Sequence, residues 1–170
     1  MENRALFLDR DGIINIDKGY VYKIKDFVFY KDIFKFCDFF NSKGFKIFVI
    51  TNQSGIARGF YTEEDFINIS QYMCKEFKKH NINIEKIYHC PHLLDCECRK
   101  PKPGMLLKAK LEYNINMKKS FLIGDKLSDM QAGFDAGIRK LFLIGETNRD
   151  FYKNFKNLKE CLNFLLKEIK

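Results

Sequence analysis

Three short runs of continuous apolar residues, Ala5-Leu6-Phe7-Leu8, Ile47-Phe48-Val49-Ile50 and Phe121-Leu122-Ile123, most constrain what this chain can fold into. Each is too short for a helix and lacks alternation, which is the pattern of strands buried on both faces. Between the first two, Ile33, Phe34, Phe36, Cys37 and Phe40 recur at helical spacing before Gly44. Thr62-Glu63-Glu64-Asp65 gives a capping-box-like start to a helix reaching about His80. Lys86-Ile87-Tyr88 reads as a third strand, and Pro103-Gly104 opens a helix to about Tyr113. A helix over Ser128 to Ala136 and a strand over Lys140 to Leu143 follow. The tail from Asn148 to Lys170 reads as a terminal helix with Leu162, Phe164 and Leu165 facing inward. Strands alternating with helices predict an α/β fold, a Rossmann-like three-layer αβα sandwich with a mainly parallel sheet. Ligands of such folds bind beyond the carboxyl ends of the strands, and Asp9, Thr51 and Asp125 all stand at such ends.

The 170 residues fit one domain spanning 1–170, which leaves no room for more than a minimal cap. Substrate enclosure then falls to the loops at 12–26, 52–61 and 90–104. No apolar run approaches the ~20 residues that span a bilayer, so a cytoplasmic protein with no membrane partner is expected, acting as a monomer. Thirty Lys and Arg against 22 Asp and Glu give a net charge of +8, which favours an anionic partner. The lysines are scattered without a block of like charge, which argues against a nucleic-acid stripe and leaves a phosphorylated small molecule.

Asp9 and Asp11 are two apart, so on an extended segment they face one site while Arg10 points away. Two acids meeting Asp125 from another strand end would repel one another unless a cation lay between them, and oxygen ligands suit Mg2+. A carboxylate nucleophile divides phosphate-ester hydrolysis into two displacements, and a second acid can protonate the leaving alcohol and then deprotonate water. Asp9 is assigned to attack and Asp11 to proton transfer. Thr51 with the following N–H groups and Lys100 are candidates to stabilise the transferring phosphoryl group.

Cys90, His92, Cys96 and Cys98 offer one imidazole and three thiols in nine residues, a complete tetrahedral set for Zn2+. His89 is an alternative to His92. A closed zinc site here staples the loop that presents Arg99 and Lys100 to phosphate. The remaining cysteines, 37, 74 and 161, read as buried small apolar residues.

The ordered set Phe7-Leu8-Asp9-Arg10-Asp11-Gly12, Ile50-Thr51-Asn52, Lys100-Pro101 and Gly124-Asp125 with Asp129 resembles the haloacid dehalogenase (HAD) superfamily of phosphatases. Within it, the chain resembles the bacterial heptose 1,7-bisphosphate phosphatases from about Phe7 to Leu143. Distinctive stretches are Asp17-Lys18-Gly19-Tyr20-Val21, Thr51 through Gly59, the Cys-Pro-His and Cys-x-Cys pair, and Gly124 through Met130. The resemblance implies that Asp9, the Asp11 main-chain carbonyl and Asp125 hold Mg2+. Asp129 either reaches the metal through water or caps the helix near Ser128. It further implies substrate contacts from Asp17, Lys18, Gly19, Tyr20, Asn52, Gln53, Ser54, Arg99 and Lys126, and removal of the C7 phosphate from a sugar bisphosphate.

Two rivals stand beside this expectation. One is the same machinery acting on histidinol phosphate, against which the run Asn52 to Gly59 weighs. The other is a zinc-containing nucleic-acid-binding module, which a single cysteine cluster without interleaved aromatic and basic residues fits poorly.

Overall fold

A computed structural model describes residues 2–145 and 151–168. Six strands are present, β1 (Ala5–Leu8), β2 (Lys46–Asn52), β3 (Ile84–Cys90), β4 (Phe121–Gly124), β5 (Lys140–Ile144) and β6 (Lys153–Phe155). Five α-helices accompany them, α1 (Ile33–Ser42), α2 (Glu63–Lys79), α3 (Gly104–Tyr113), α4 (Leu127–Asp135) and α5 (Leu158–Glu168). The strands form one sheet in the order β3-β2-β1-β4-β5-β6, every neighbouring pair parallel. This is the expected three-layer α/β sandwich.

The continuous apolar runs became strands because helices cover both of their faces. On one face Leu6, Leu8, Val49 and Ile123 pack with residues of α1, α2 and α5. On the other, Phe7, Phe48, Ile50 and Leu122 pack with Met105 and Leu106 of α3 and Met130 of α4. The helices begin where local chemistry favours it: Thr62 accepts from Asp65 N and Asp65 reaches back to Thr62 N, a complete capping box on α2. No helix among the described residues is long and apolar enough to cross a membrane.

The chain runs outward from β1 through β2 to β3, then returns to the other side of β1 with β4. The change of direction lies between β1 and β4, and the crevice beyond their carboxyl ends is where such a sheet opens to ligands. Leu6 pairs with Ile47 on one side and Phe121 on the other, which centres β1 in the sheet.

Three expectations need correction. The third strand is longer than Lys86 to Tyr88 and ends at Cys90 itself. The tail carries a strand, β6, before its helix, which begins at Leu158; Asn148 to Asp150 and the final two residues lie outside the described residues. Within that helix Leu162 and Leu165 are buried, while Phe164 is half-buried against the same core.

Candidate active site and thiolate cluster

Asp9 follows β1 directly, and its N–H donates to Ile123 O at 3.0 Å, extending the ladder by one residue and bringing Asp9 beside the end of β4. Carboxylate oxygens of Asp9, Asp125 and Asp129 all lie within 4.8 Å of one another. Burial pushes Asp9 up to about 7, against the lowering charge of Lys100, and Asp129 and Asp125 push it further in the same direction. Asp125 Oδ1 is buried without a hydrogen-bond partner among the described residues. A buried orphan oxygen in a group of three crowded acids fits a hard divalent cation such as Mg2+. Of the two roles considered for Asp129 the helix cap is present, since its Oδ2 accepts from Lys126 N at 3.0 Å at the start of α4, while Oδ1 meets the Lys100 ammonium.

Gly12 makes this packing possible. It sits at φ +91°, and a Cβ there would lie 2.2 Å from Asp125 Oδ2.

The Lys100 ammonium reaches the same acids, 2.8 Å from Asp9 Oδ1, 2.5 Å from Asp129 Oδ1 and 2.8 Å from Ile50 O. Burial alone would disfavour its charge, but Asp129 and Asp9 outweigh that and raise its pKa, so it remains a cation. Its backbone is fixed by Asn52, whose amide donates to Lys100 O and accepts from Lys100 N, both at 3.0 Å.

Arg10 departs from expectation. The strand ends at Leu8, so two-residue alternation no longer governs the loop, and Arg10 does not point away from Asp11. It is 1% exposed, and its Nε and Nη2 donate to Asp11 Oδ2 and Oδ1 at 3.1 and 2.9 Å. The Asp11 carboxylate is therefore no part of the three-acid group, although Asp9 and Asp11 both line one cavity.

That cavity measures about 530 Å3 and opens beyond the strand ends. Asp17, Gly19, Tyr20, Ser54 and Arg99 border it from the three loops expected to enclose substrate, and Lys126 borders it from the start of α4. Lys126 Nζ lies 3.4 Å from Asp17 Oδ2 across the opening. Lys18 is the one expected contact absent from the lining. Asn52 and Gln53 border the cavity too, but their amides are engaged within the protein, Asn52 with Lys100 and Gln53 with Asp11 and Thr51.

The four zinc-candidate residues converge. Their donor atoms lie within 4.8 Å of one another, with His92 Nδ1 3.2 Å from Cys98 Sγ and Cys96 Sγ 3.5 Å from Cys90 Sγ. The Cys90 and Cys98 sulfurs are in direct contact, so this pair is also placed to join as a disulfide. Three soft thiolates and an imidazole fit Zn2+ with no position left open. His89 is elsewhere, bound to Glu63 at 2.6 Å and stacked on Phe66, which leaves His92 as the ring at the cluster. Cys37, Cys74 and Cys161 belong to or pack against the apolar core. The loop sits so close on α3 that a Cβ at Gly104 would meet Glu97 O at 2.1 Å.

Comparison with known proteins adds to this geometry. Residues 6–157 match the family described as polynucleotide kinase 3 phosphatase. The chain is 60% identical over 166 residues to the D-glycero-alpha-D-manno-heptose-1,7-bisphosphate 7-phosphatase of Campylobacter jejuni, with 96% of each chain covered. It is 50% identical over 145 residues to the D-glycero-beta-D-manno-heptose-1,7-bisphosphate 7-phosphatase of Helicobacter pylori strain 26695, with 84% of each covered. The chain belongs to the heptose-1,7-bisphosphate 7-phosphatase family. A structure of the D,D-heptose 1,7-bisphosphate phosphatase from B. bronchiseptica, complexed with magnesium and phosphate, aligns at a TM-score of 0.87 and 25% identity. That alignment covers 97% of this chain and 99% of the other.

Membership of this phosphatase family agrees with the HAD resemblance read from the motifs. The structure also shows residues that the motifs did not single out. Tyr61 is 5% exposed, borders the cavity and bonds to Gln53; Ser128 borders it as well. Tyr61 carries no sequence signal, because a lone aromatic before a helix is ordinary, whereas Ser128 lies within the distinctive stretch Gly124 through Met130 but is given no role of its own there.

Proposed function

We propose that this chain hydrolyses the C7 phosphate ester of D-glycero-D-manno-heptose 1,7-bisphosphate through an aspartyl-phosphate on Asp9. The observation that carries the reading is the buried Asp9 carboxylate, set against Asp125, Asp129 and Lys100 at the floor of a cavity rimmed by Arg99 and Lys126. The substrate assignment is supported by the relatives, each named for a heptose bisphosphate.

An Asp9 oxygen attacks phosphorus as the bond to the sugar oxygen breaks, and Asp11 supplies the proton that the leaving alkoxide needs. In the second displacement Asp11 takes a proton from the water that attacks the aspartyl-phosphate, restoring Asp9. Thr51 and Lys100 bear on the equatorial phosphoryl oxygens, where charge spreads in the transition state. Mg2+, held by Asp9, Asp125 and the Asp11 main-chain carbonyl with Asp129 beside them, would supply further neutralisation of that charge. Zn2+ on Cys90, His92, Cys96 and Cys98 would be structural, ordering the loop from which Arg99 and Lys100 project. Asp17, Gly19, Tyr20, Ser54, Arg99 and Lys126 would contact the sugar bisphosphate.

Phosphate release from the heptose bisphosphate and from histidinol phosphate, each with Mg2+, tests this. One phosphate per heptose bisphosphate, taken from C7, is expected, with loss of activity in Asp9→Asn. A large preference for histidinol phosphate would overturn the substrate, and full activity in Asp9→Asn would overturn the nucleophile.

A further inference from the structure

Asp11 is unusually well supplied with donors. Arg10 gives each of its oxygens one hydrogen bond, Asn15 Nδ2 adds one to Oδ1 at 3.0 Å, and Gln53 Nε2 adds one to Oδ2 at 3.0 Å. Arg10 and Asn15 come from the loop that carries Asp11. Gln53 comes from the far side of the cavity, just past the end of β2, and the same Nε2 donates to Thr51 Oγ1 at 2.8 Å. A single amide nitrogen thus ties the proton-transfer acid to a residue assigned to the phosphoryl group.

Asp11 Oδ2 and Thr51 Oγ1 both take their hydrogen bond from the Gln53 nitrogen, so the amide is oriented with its nitrogen, not its oxygen, toward them. The opposite end of the amide then points to Tyr61, whose hydroxyl donates to Gln53 Oε1. Burial pushes the Tyr61 hydroxyl up to about 12, despite the nearby Arg10 charge, so it keeps its proton at neutral pH. Its ring is held independently. It stacks on Tyr22 at 5.2 Å, and it lies so close to Gly55 that a Cβ there would come within 2.1 Å of Cε1.

We propose that Tyr61 is a positioning residue for proton transfer, locking the Gln53 amide so that Gln53 aims Asp11 at the departing oxygen of the substrate. This rests on the proposed role of Asp11. Removing the Tyr61 hydroxyl leaves Gln53 Oε1 buried without its donor, and the amide gains freedom to turn its oxygen toward Asp11.

The test exploits leaving-group chemistry. The value of kcat/KM reports events only through departure of the alcohol. A sugar alkoxide needs a proton at that point, whereas p-nitrophenolate leaves without one. In Tyr61→Phe, which keeps the ring contacts, kcat/KM is expected to fall about tenfold on the sugar bisphosphate and less than about twofold on p-nitrophenyl phosphate. Gln53→Met, which also frees Thr51, should lose activity on both substrates with the larger loss on the sugar bisphosphate, and adding Tyr61→Phe to it should cost nothing further. Asp11→Asn, measured alongside, should show the selectivity more strongly. Equal losses on both substrates in Asp11→Asn would remove its proton-transfer role and this inference with it. A selective Asp11→Asn beside an unselective Tyr61→Phe, or additive losses in the double variant, would overturn the inference alone.

Discussion

The Lys100 ammonium donates to Asp9 Oδ1 across 2.8 Å, with both side chains almost wholly removed from solvent. Losing one partner of a buried pair leaves the other charge uncompensated, at a cost of about 3 kcal/mol or more. Lys100→Met should therefore lower the melting temperature, and by more without Mg2+ than with it, because the metal would then be the remaining cation among three acids. Activity should fall roughly 10²- to 10³-fold through lost phosphoryl stabilisation. Melting curves with and without Mg2+ check the first claim, and a deficit independent of metal would contradict it.

The raised pKa of Asp9, about 7, predicts how metal binding responds to pH. A carboxyl group whose folded-state pKa lies that high is substantially protonated below pH 7, and a cation must displace the proton. Mg2+ affinity should weaken as pH falls from 8 to 6, approaching about tenfold per pH unit below the pKa for one linked proton. Calorimetric titration in two buffers of different ionisation enthalpy reads the released proton directly. Affinity that stayed flat across this window would show that Asp9 is already ionised in the metal-free protein.

At Gly12 the backbone is left-handed and a methyl group would strike Asp125. Gly12→Ala should destabilise the protein by about 1–3 kcal/mol through backbone strain, and displacing Asp125 should weaken Mg2+ binding as well. A stability measurement paired with metal titration separates the two effects. Normal metal affinity in a folded variant would mean that Asp125 is no ligand.

On the proposed zinc reading, stripping the metal should disorder the loop from Cys90 to Gly104 while the sheet survives, because the strands are held by the apolar core on either face. Cys96→Ser is expected to lose bound metal, seen by elemental analysis, and to lower kcat about tenfold or more as Lys100 loses its support. Metal-free protein with reduced cysteines and full activity would break the link between cluster and chemistry.

The fold was legible where burial on both sides leaves an unbroken apolar run, as in Phe7-Leu8 or Leu122-Ile123, and each such strand delivered its acid to the expected end. β6 was not legible because Lys153-Asn154-Phe155 has one apolar residue and no periodicity; it exists because Phe155 packs on Phe142 and Phe164. In the site, the positions of Asp9, Asp125 and the cysteines followed from strand ends and spacing. The directions of Arg10 and Gln53 did not, since once a strand ends the loop backbone, not alternation, aims each side chain.

The Cys90 loop rests on Gly104 at one end, while two residues beyond Cys98 the Lys100 backbone is clipped by Asn52 at the other. Anyone wishing to alter what the mouth of the cavity admits by grafting must therefore move residues 90–104 as one cassette, together with an asparagine at position 52. A shorter transplant would sever the rim from the anchor that sets the height of the lysine.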